Sequence, residues 1–219
     1  MDEASLRPLA AALKCPMAVE ILGSEDRFDA EIDRLASMTT DPAIWIGHSL
    51  GGIAALHLAV RWPERCAALV LLASNLRPDG PLGQQSRAQQ LAVLEQGGMS
   101  ALLRSQLAPL YGMRDDDALL DEMQAQAQRI GTARYLRQLG YAAKRPGLLS
   151  DSIRLHMPVL VLSGGEDLLC PPECGDEIIA RAPVTGSRHF VLPGVGHLLP
   201  LQASGWCAEH IREFLAERL

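Results

Sequence analysis

One short stretch restricts the fold of this chain more than any other. Residues 47–52, with the sequence GHSLGG, lie where an apolar run gives way to a run with helical spacing. Residues 43–46 predict a short buried strand, and apolar residues at helical spacing follow the stretch until Trp62 and Pro63. The glycines let strand and helix approach closely in a tight, strained turn that exposes the Ser49 hydroxyl and directs the first helical amides at a developing oxyanion. The sequence therefore predicts that Ser49 is a nucleophile.

A serine hydroxyl is a weak nucleophile unless a histidine takes its proton and a carboxylate orients that histidine. Residues 157–163 form an apolar run of strand length, and Asp167 lies in the turn that follows it. Residues 188–193 form a second such run, and His197 lies just beyond it. Because ligands bind at the carboxyl ends of the strands in an open α/β sheet, we expect the three side chains to converge there.

Other side chains compete for these roles. Glu166 is next to the predicted acid, and Asp79 follows an earlier strand, so either could orient the histidine instead of Asp167. His48 is next to the predicted nucleophile, and we expect it to be a packed, hydrogen-bonded residue of the turn rather than a catalyst.

Three motifs in this order resemble those of the α/β-hydrolases: GHSLGG at residues 47–52, GGEDLLCPP at 164–172 and GVGHL at 194–198. The chain looks most similar to the small bacterial carboxylesterases and C–C-bond hydrolases, in which a helical cap covers the site. The resemblance implies that Ser49 is the nucleophile, His197 the general base and then acid, and Asp167 the orienting carboxylate. It also implies that the backbone amide of Leu50 is one donor to the oxyanion.

The start of the chain departs from that family. Its members carry strands and a His-Gly or Pro-Gly loop before the first helix, and the loop gives a second oxyanion amide. Residues 1–9 resemble the stretch just after that loop. We expect residues 17–22 to form a strand that either pairs directly with residues 43–46 or flanks the place of a strand encoded upstream. The second alternative is favoured, because a gap within the sheet would leave buried backbone groups unpaired.

The middle of the chain differs from its two ends. Residues 1–73 and 157–219 alternate short apolar runs with helical patterns, which predicts an α/β core with a doubly wound, mostly parallel sheet. Residues 74–156 contain no convincing strand and show several amphipathic helical faces. We therefore predict an α/β-hydrolase-like core with an inserted helical cap of about four helices.

Composition excludes several other classes. The 219 residues carry a net charge of −6 without a basic stripe, so nucleic acid is not an expected partner. There is no apolar run of about 18 residues that would span a membrane. Five cysteines, an odd number, are typical of reduced intracellular thiols, and their spacing does not favour a metal site. We expect a cytoplasmic protein without metal or cofactor. The sequence leaves open whether the protein forms a homodimer.

The predicted function is that of a serine hydrolase which cleaves a small carboxylic ester through an acyl-enzyme. The same three residues would also serve a C–C-bond, thioester or lactone hydrolase, and the sequence does not separate these reactions. A non-catalytic binding protein with a hydrolase fold is the alternative from another class, because the second oxyanion loop is absent from the sequence.

Overall fold

The computed structural model describes residues 1–113, 116–150 and 152–217. Its sheet has four strands in the order β1-β2-β3-β4: β1 (Ala43–His48), β2 (Cys66–Leu72), β3 (Val159–Gly164) and β4 (Arg188–Leu192). Each neighbouring pair is parallel, so all four carboxyl ends meet at one edge of the sheet. The predicted parallel α/β architecture is confirmed, and the three predicted site residues follow three of these strand ends.

Helices surround the sheet. In chain order, those of the described residues are α1 (Glu3–Leu13), α2 (Phe28–Ala36), α3 (Leu50–Arg61), α4 (Pro81–Leu102), α5 (Ala108–Leu110), α6 (Asp117–Ile130), α7 (Thr132–Lys144), α8 (Pro172–Ile179), α9 (Leu199–Gln202) and α10 (Ser204–Ala216). A 3₁₀ turn at Pro63–Arg65 precedes β2, and a π-helical turn at Leu103–Leu107 follows α4.

Both faces of the sheet are buried. Side chains of α2, α3 and α8 pack on one face, together with Leu69 and Leu71 of β2. Side chains of α1, α9 and α10 pack on the other face, together with Val70 and Leu72. A strand covered on both sides needs apolar residues at every position, and this explains the continuous apolar sequence of β2. The sheet is therefore doubly wound, as predicted.

The predicted strand at residues 17–22 is wrong. These residues form no strand, although their burial alternates between outward and inward positions as it would in one. Within the described part of the chain, β1 pairs with β2 alone, so no ladder partner reaches residues 17–22. A strand depends on hydrogen bonds to a neighbouring strand, which a hydrophobic pattern alone does not provide. Met17 and Leu22 still pack into the two opposite layers of the core.

Between β2 and β3, the described residues form helices and loops and no strand. Gly98 has a φ of 72° and kinks α4, so the segment begins with two helical pieces and continues through the π-helical turn to α6 and α7. Leu102, Leu107, Leu119 and Met123 form a separate apolar cluster there. The division of the chain into a core and a cap at residues 74–156 stays a prediction. Arg114, Asp115, Asp151, Arg218 and Leu219 belong to the predicted ranges but lie outside the described residues.

No helix in the described ranges has both the length and the apolar character that crossing a membrane requires.

Candidate active site

Ser49 occupies the turn between β1 and α3, and its backbone has a φ of 53° and a ψ of −120°. Positive φ is unfavourable for a residue with a side chain and persists only where the surroundings hold it. Three hydrogen bonds do so here. The Ser49 amide donates to Leu72 O at 2.9 Å, while its carbonyl accepts from the Ile53 amide at 3.0 Å and from Ser74 Oγ at 3.1 Å. The turn is therefore tied to the end of β2 as well as to its own helix.

Two glycines, Gly47 and Gly52, allow this turn. A Cβ on Gly47 would lie 2.5 Å from Gly52 Cα, and a Cβ on Gly52 would lie 1.9 Å from Ser74 Oγ. A Cβ on Gly51 would meet nothing within 4 Å. Close contact between strand and helix thus requires Gly47 and Gly52, whereas Gly51 has room for a side chain.

Asp167 lies in the turn after β3 and is 1 % exposed. Its Oδ1 accepts hydrogen bonds from the amides of Leu169 and Cys170, both at 2.9 Å. Hydrogen bonds of this kind satisfy a buried carboxylate oxygen and fix the orientation of the side chain. The second oxygen, Oδ2, is left to face His197.

His197 connects the acid to the serine. Its Nδ1 lies 2.7 Å from Asp167 Oδ2, and its Nε2 lies 2.8 Å from Ser49 Oγ. Because a carboxylate only accepts, Nδ1 carries the proton and Nε2 is free to accept the hydroxyl proton of Ser49. We call these three residues the Ser49 network. The structure thus brings all three predicted side chains into hydrogen-bond contact.

The competing carboxylate Asp79 points elsewhere: its Oδ2 lies 3.4 Å from Nε of Arg87. Asp167, and neither Asp79 nor Glu166, forms the hydrogen bond to the imidazole of His197.

Sequence reasoning missed Tyr111. Its carbonyl accepts from the His197 amide at 2.8 Å, and its ring stacks on the imidazole with centroids 4.8 Å apart. Its neighbour Gly112 has a φ of 64°, and a Cβ there would lie 1.8 Å from Glu166 O. The turn at residues 110–112 therefore supports the loops of the acid and the histidine together. The glycine was visible in the sequence, but nothing indicated where it would pack.

His48 holds the same histidine from the opposite side. Its Nε2 lies 2.8 Å from the carbonyl of His197, and because a carbonyl only accepts, this nitrogen donates. Burial, together with the nearby charge of protonated His197, holds the pKa of His48 well below its usual range. His48 therefore stays neutral and supports the backbone of the His197 loop.

A cavity of about 250 Å³ opens beside Ser49 and His197. Leu50 also lines it, and because Leu50 is the first residue of α3, its amide has no intrahelical acceptor. The opposite wall comes from α4, α6, α7 and the π-helical turn, and it is mostly apolar. A small substrate held there would have its carbonyl between the serine and the start of α3.

Cys170 is the remaining reactive group beside the acid. Ligand atoms of Asp167, Cys170 and His197 lie within 4.8 Å of one another. Burial raises the pKa of the Cys170 thiol to about 12, and the charge of Asp167 acts in the same direction. A protonated thiol is a poor metal ligand, and the carboxylate and imidazole already bind each other. We therefore assign no metal to this group.

Comparison with known proteins agrees with this geometry. The family model of "Serine aminopeptidase, S33" matches residues 26–202, which is most of the chain. The pimeloyl-[acyl-carrier protein] methyl ester esterase of Neisseria meningitidis serogroup B (strain H44/76) is 29% identical over 195 residues, covering 85% of this chain and 74% of that protein. A protein of Serratia proteamaculans (strain 568), named provisionally as the carbamate hydrolase RutD, is 29% identical over 202 residues, covering 81% and 73%.

Solved structures show the same fold. The thermophilic esterase of Thermogutta terrifontis, determined with malate bound, has a TM-score of 0.78 and 23% identity over 99% of this chain and 86% of its own. The Neisseria and Serratia relatives are named as an esterase and a hydrolase, and they support hydrolysis of ester bonds by this chain. From the matched family model and the shared architecture, we conclude that this chain is an enzyme of the S33 family of α/β-hydrolases.

Proposed function

We propose that the protein is a serine esterase that cleaves a small carboxylic ester through an acyl-enzyme intermediate. One observation carries the proposal: the Ser49 network ends on a strained turn that opens into a cavity. A hydrogen-bonded serine, histidine and carboxylate provide a nucleophile, a base and a group that orients the base.

Acylation begins when Ser49 Oγ attacks the ester carbonyl and forms a bond to its carbon. His197 Nε2 takes the hydroxyl proton, and Asp167 stabilises the resulting imidazolium because its Oδ2 already binds Nδ1–H. The tetrahedral intermediate then collapses, the bond from carbon to the alkoxy oxygen breaks, and His197 returns the proton to the departing alcohol.

The oxyanion of the intermediate needs hydrogen-bond donors. The amide of Leu50 is the donor that this geometry supports, because it begins α3 beside the nucleophile and the positive end of the helix dipole adds to it. In deacylation, a water molecule attacks the acyl carbon while His197 Nε2 takes one of its protons. The bond from that carbon to Ser49 Oγ then breaks, and His197 returns the proton to Oγ as the carboxylic acid leaves.

The cavity favours a small ester. Its volume of about 250 Å³ is below the range of about 300–1,000 Å³ that is usual for drug-sized ligands. Leu103, Leu107, Met123 and Leu198 provide apolar walls. The name of the Neisseria relative, a methyl ester esterase, supports an ester in preference to a C–C bond, a thioester or a lactone. We further propose that residues 74–156 act as a cap, because α4, α6 and α7 supply most of the wall opposite Ser49.

Hydrolysis of a short-chain nitrophenyl ester tests the proposal, with Ser49→Ala as the diagnostic variant. The parent protein should release nitrophenol, and the variant should lose about 10³-fold or more in kcat while it unfolds at a similar temperature. A fluorophosphonate probe should label the parent on the peptide that contains Ser49 and leave the variant unlabelled. If the variant keeps activity within a few-fold of the parent, Ser49 is not the nucleophile.

A further inference from the structure

The cavity beside Ser49 is lined by an arginine, Arg87, that ester hydrolysis does not require. Arg87 of α4 lines the wall that faces the nucleophile, and its side chain is 18% exposed. Among the described residues that line the cavity, Glu20 is the other charged side chain, and it pairs with Arg34 at 3.0 Å. A cation at the wall of a small apolar cavity is costly unless an anion faces it.

Two hydrogen bonds hold the guanidinium group of Arg87. Its Nε lies 3.4 Å from Asp79 Oδ2, and its Nη1 lies 3.3 Å from Oε1 of Gln90. Gln90 is 1% exposed and is itself fixed by a hydrogen bond to Ser86 Oγ at 3.3 Å. In the described part of the chain no side chain or carbonyl accepts from Nη2 of Arg87. The group is therefore oriented in advance, with one nitrogen left for a ligand.

Asp79 does not serve Arg87 alone. Asp79 is the acidic side chain beside two guanidinium groups, those of Arg87 and Arg145. Arg145 is buried, and its Nη2 donates to the carbonyl of Arg77 at 3.1 Å rather than to a carboxylate. Burial lowers the pKa of Arg145; Asp79 opposes this shift and Arg87 adds to it. Asp79 thus interacts with two guanidinium groups, and of these Arg87 is the one that lines the cavity.

The charge of Arg87 also reaches the side of the cavity that adjoins His197. Burial raises the pKa of Tyr111, whose ring stacks on His197, and of Tyr135, and Arg87 opposes both shifts. Both tyrosines line the same cavity as Ser49. An anion bound at Arg87 would therefore share the cavity with the reacting carbonyl.

We propose that Arg87 binds the anionic end of the substrate, so that the preferred ester is a short half-ester of a dicarboxylic acid. This inference rests on the esterase function proposed above. The apolar wall would contact the methylene chain between the two ends, and the guanidinium would bind the free carboxylate through charge-assisted hydrogen bonds. An aliphatic ester without charge would leave Nη2 of Arg87 without an acceptor, since Asp79 and Gln90 bind the other two nitrogens.

The test compares monomethyl and dimethyl esters of succinic, glutaric and adipic acid, with acid release followed by titration at constant pH. The parent protein should prefer the half-ester at one chain length, since the distance between Ser49 and Arg87 is fixed. Arg87→Gln should reduce kcat/KM for that half-ester by at least about tenfold, mainly through KM, and for the diester by much less; tenfold corresponds to about 1.4 kcal/mol. Arg87→Lys should recover part of the loss, because it restores the charge without the planar fork.

Arg104→Gln is the matched control, because Arg104 is an exposed arginine of the same helical segment that does not line the cavity. It should leave the preference for the half-ester unchanged. Equal losses on half-ester and diester with Arg87→Gln, or no preference by the parent, would overturn the role of Arg87 while leaving esterase activity in place. If the parent hydrolyses neither ester, the proposed function itself fails and this inference fails with it.

Inhibition of the parent protein keeps the proposal testable if the Arg87 variants do not fold. Glutarate should compete with the half-ester at a concentration at least about tenfold lower than glutaramide, its neutral isostere, because only glutarate can pair with the guanidinium. Equal inhibition by the two compounds would contradict an anion site.

Discussion

The molecule contains a second serine–histidine–aspartate arrangement besides the Ser49 network. In this Ser163 network, His189 Nε2 lies 2.9 Å from Ser163 Oγ, and His189 Nδ1 lies 2.9 Å from Asp176 Oδ1. These distances are almost the same as those of the Ser49 network. The two networks differ in the surroundings of the serine and of the aspartate.

The two networks differ in which residue is buried, the serine or the aspartate. In the Ser49 network the acid is 1% exposed and the serine faces a cavity. In the Ser163 network the serine is 2% exposed, whereas the acidic side chain is 75% exposed. Solvent screens the exposed aspartate, and Ser163 is not among the described residues that line the cavity beside Ser49.

The backbone differs as well. Ser49 lies on the strained turn after β1, whereas Ser163 lies within β3, where it is paired in register with Val191 of β4. The Ser163 network therefore connects β3, β4 and α8 as a structural element. Similar hydrogen-bond distances thus occur in two different settings, and the strained turn and the cavity distinguish the Ser49 network from the Ser163 network.

Replacement of the two acids should give the largest contrast. Asp167→Asn should reduce kcat/KM for a nitrophenyl ester by roughly 10³-fold, because the amide cannot hold His197 in the tautomer that accepts the serine proton. Asp176→Asn should change it less than about twofold. Steady-state kinetics of the two variants with one ester decides this. A large loss with Asp176→Asn would mean that the Ser163 network takes part in catalysis.

The pH dependence should separate the two histidines. A general base must be neutral to accept the proton of Ser49, so kcat/KM should decline toward acid pH. His48 adds no second decline there, because burial holds its pKa well below the usual range and it stays neutral. His189→Gln should keep the shape of the profile. A variant profile that is flat between pH 5 and 8 would assign the base to His189.

Alanine substitutions at Gly175 and Gly51 should compare a glycine that packs on His189 with one that has free space beside it. A Cβ on Gly175 would lie 2.4 Å from Nε2 of His189, so Gly175→Ala should displace that ring and lower the free energy of unfolding by roughly 1–3 kcal/mol. A Cβ on Gly51 meets nothing within 4 Å, so Gly51→Ala should change it by less than about 0.5 kcal/mol. Urea unfolding of both variants measures the difference. Equal effects would contradict the packing of His189 on α8.

The smallest expected effect concerns the two serines. Ser163→Ala should lower the free energy of unfolding by about 1 kcal/mol, because a largely buried imidazole nitrogen loses its hydrogen-bond partner. Ser49→Ala should change stability by less than that, since its hydroxyl faces the cavity. Thermal unfolding of the two variants checks the order, and a greater loss from Ser49→Ala would contradict it.

The sequence predicted most of the strands, but it did not predict which contacts between distant residues shape the fold and the site. The parallel strands were predicted because continuous apolar runs of strand length alternate with helical patterns, and β1, β3 and β4 begin and end within two residues of the runs at 43–46, 157–163 and 188–193. The error at residues 17–22 has a physical cause: a hydrophobic pattern is a local property of the sequence, whereas a strand needs a hydrogen-bonding partner that only the assembled sheet provides. The role of Gly52 in place of Gly51 also depends on a contact, that with Ser74, distant in sequence.

By itself the sequence determined the order and spacing of Ser49, Asp167 and His197 and the turn chemistry around them, because glycine placement and hydrophobic period act over a few residues. The tertiary structure alone decided that Tyr111 stacks on His197, that Arg87 lines the cavity and that Ser163 has a hydrogen-bond network of its own. These contacts join side chains more than ten residues apart, most of them on different elements. No local pattern records such a distance, since it arises only when the layers of the fold pack together.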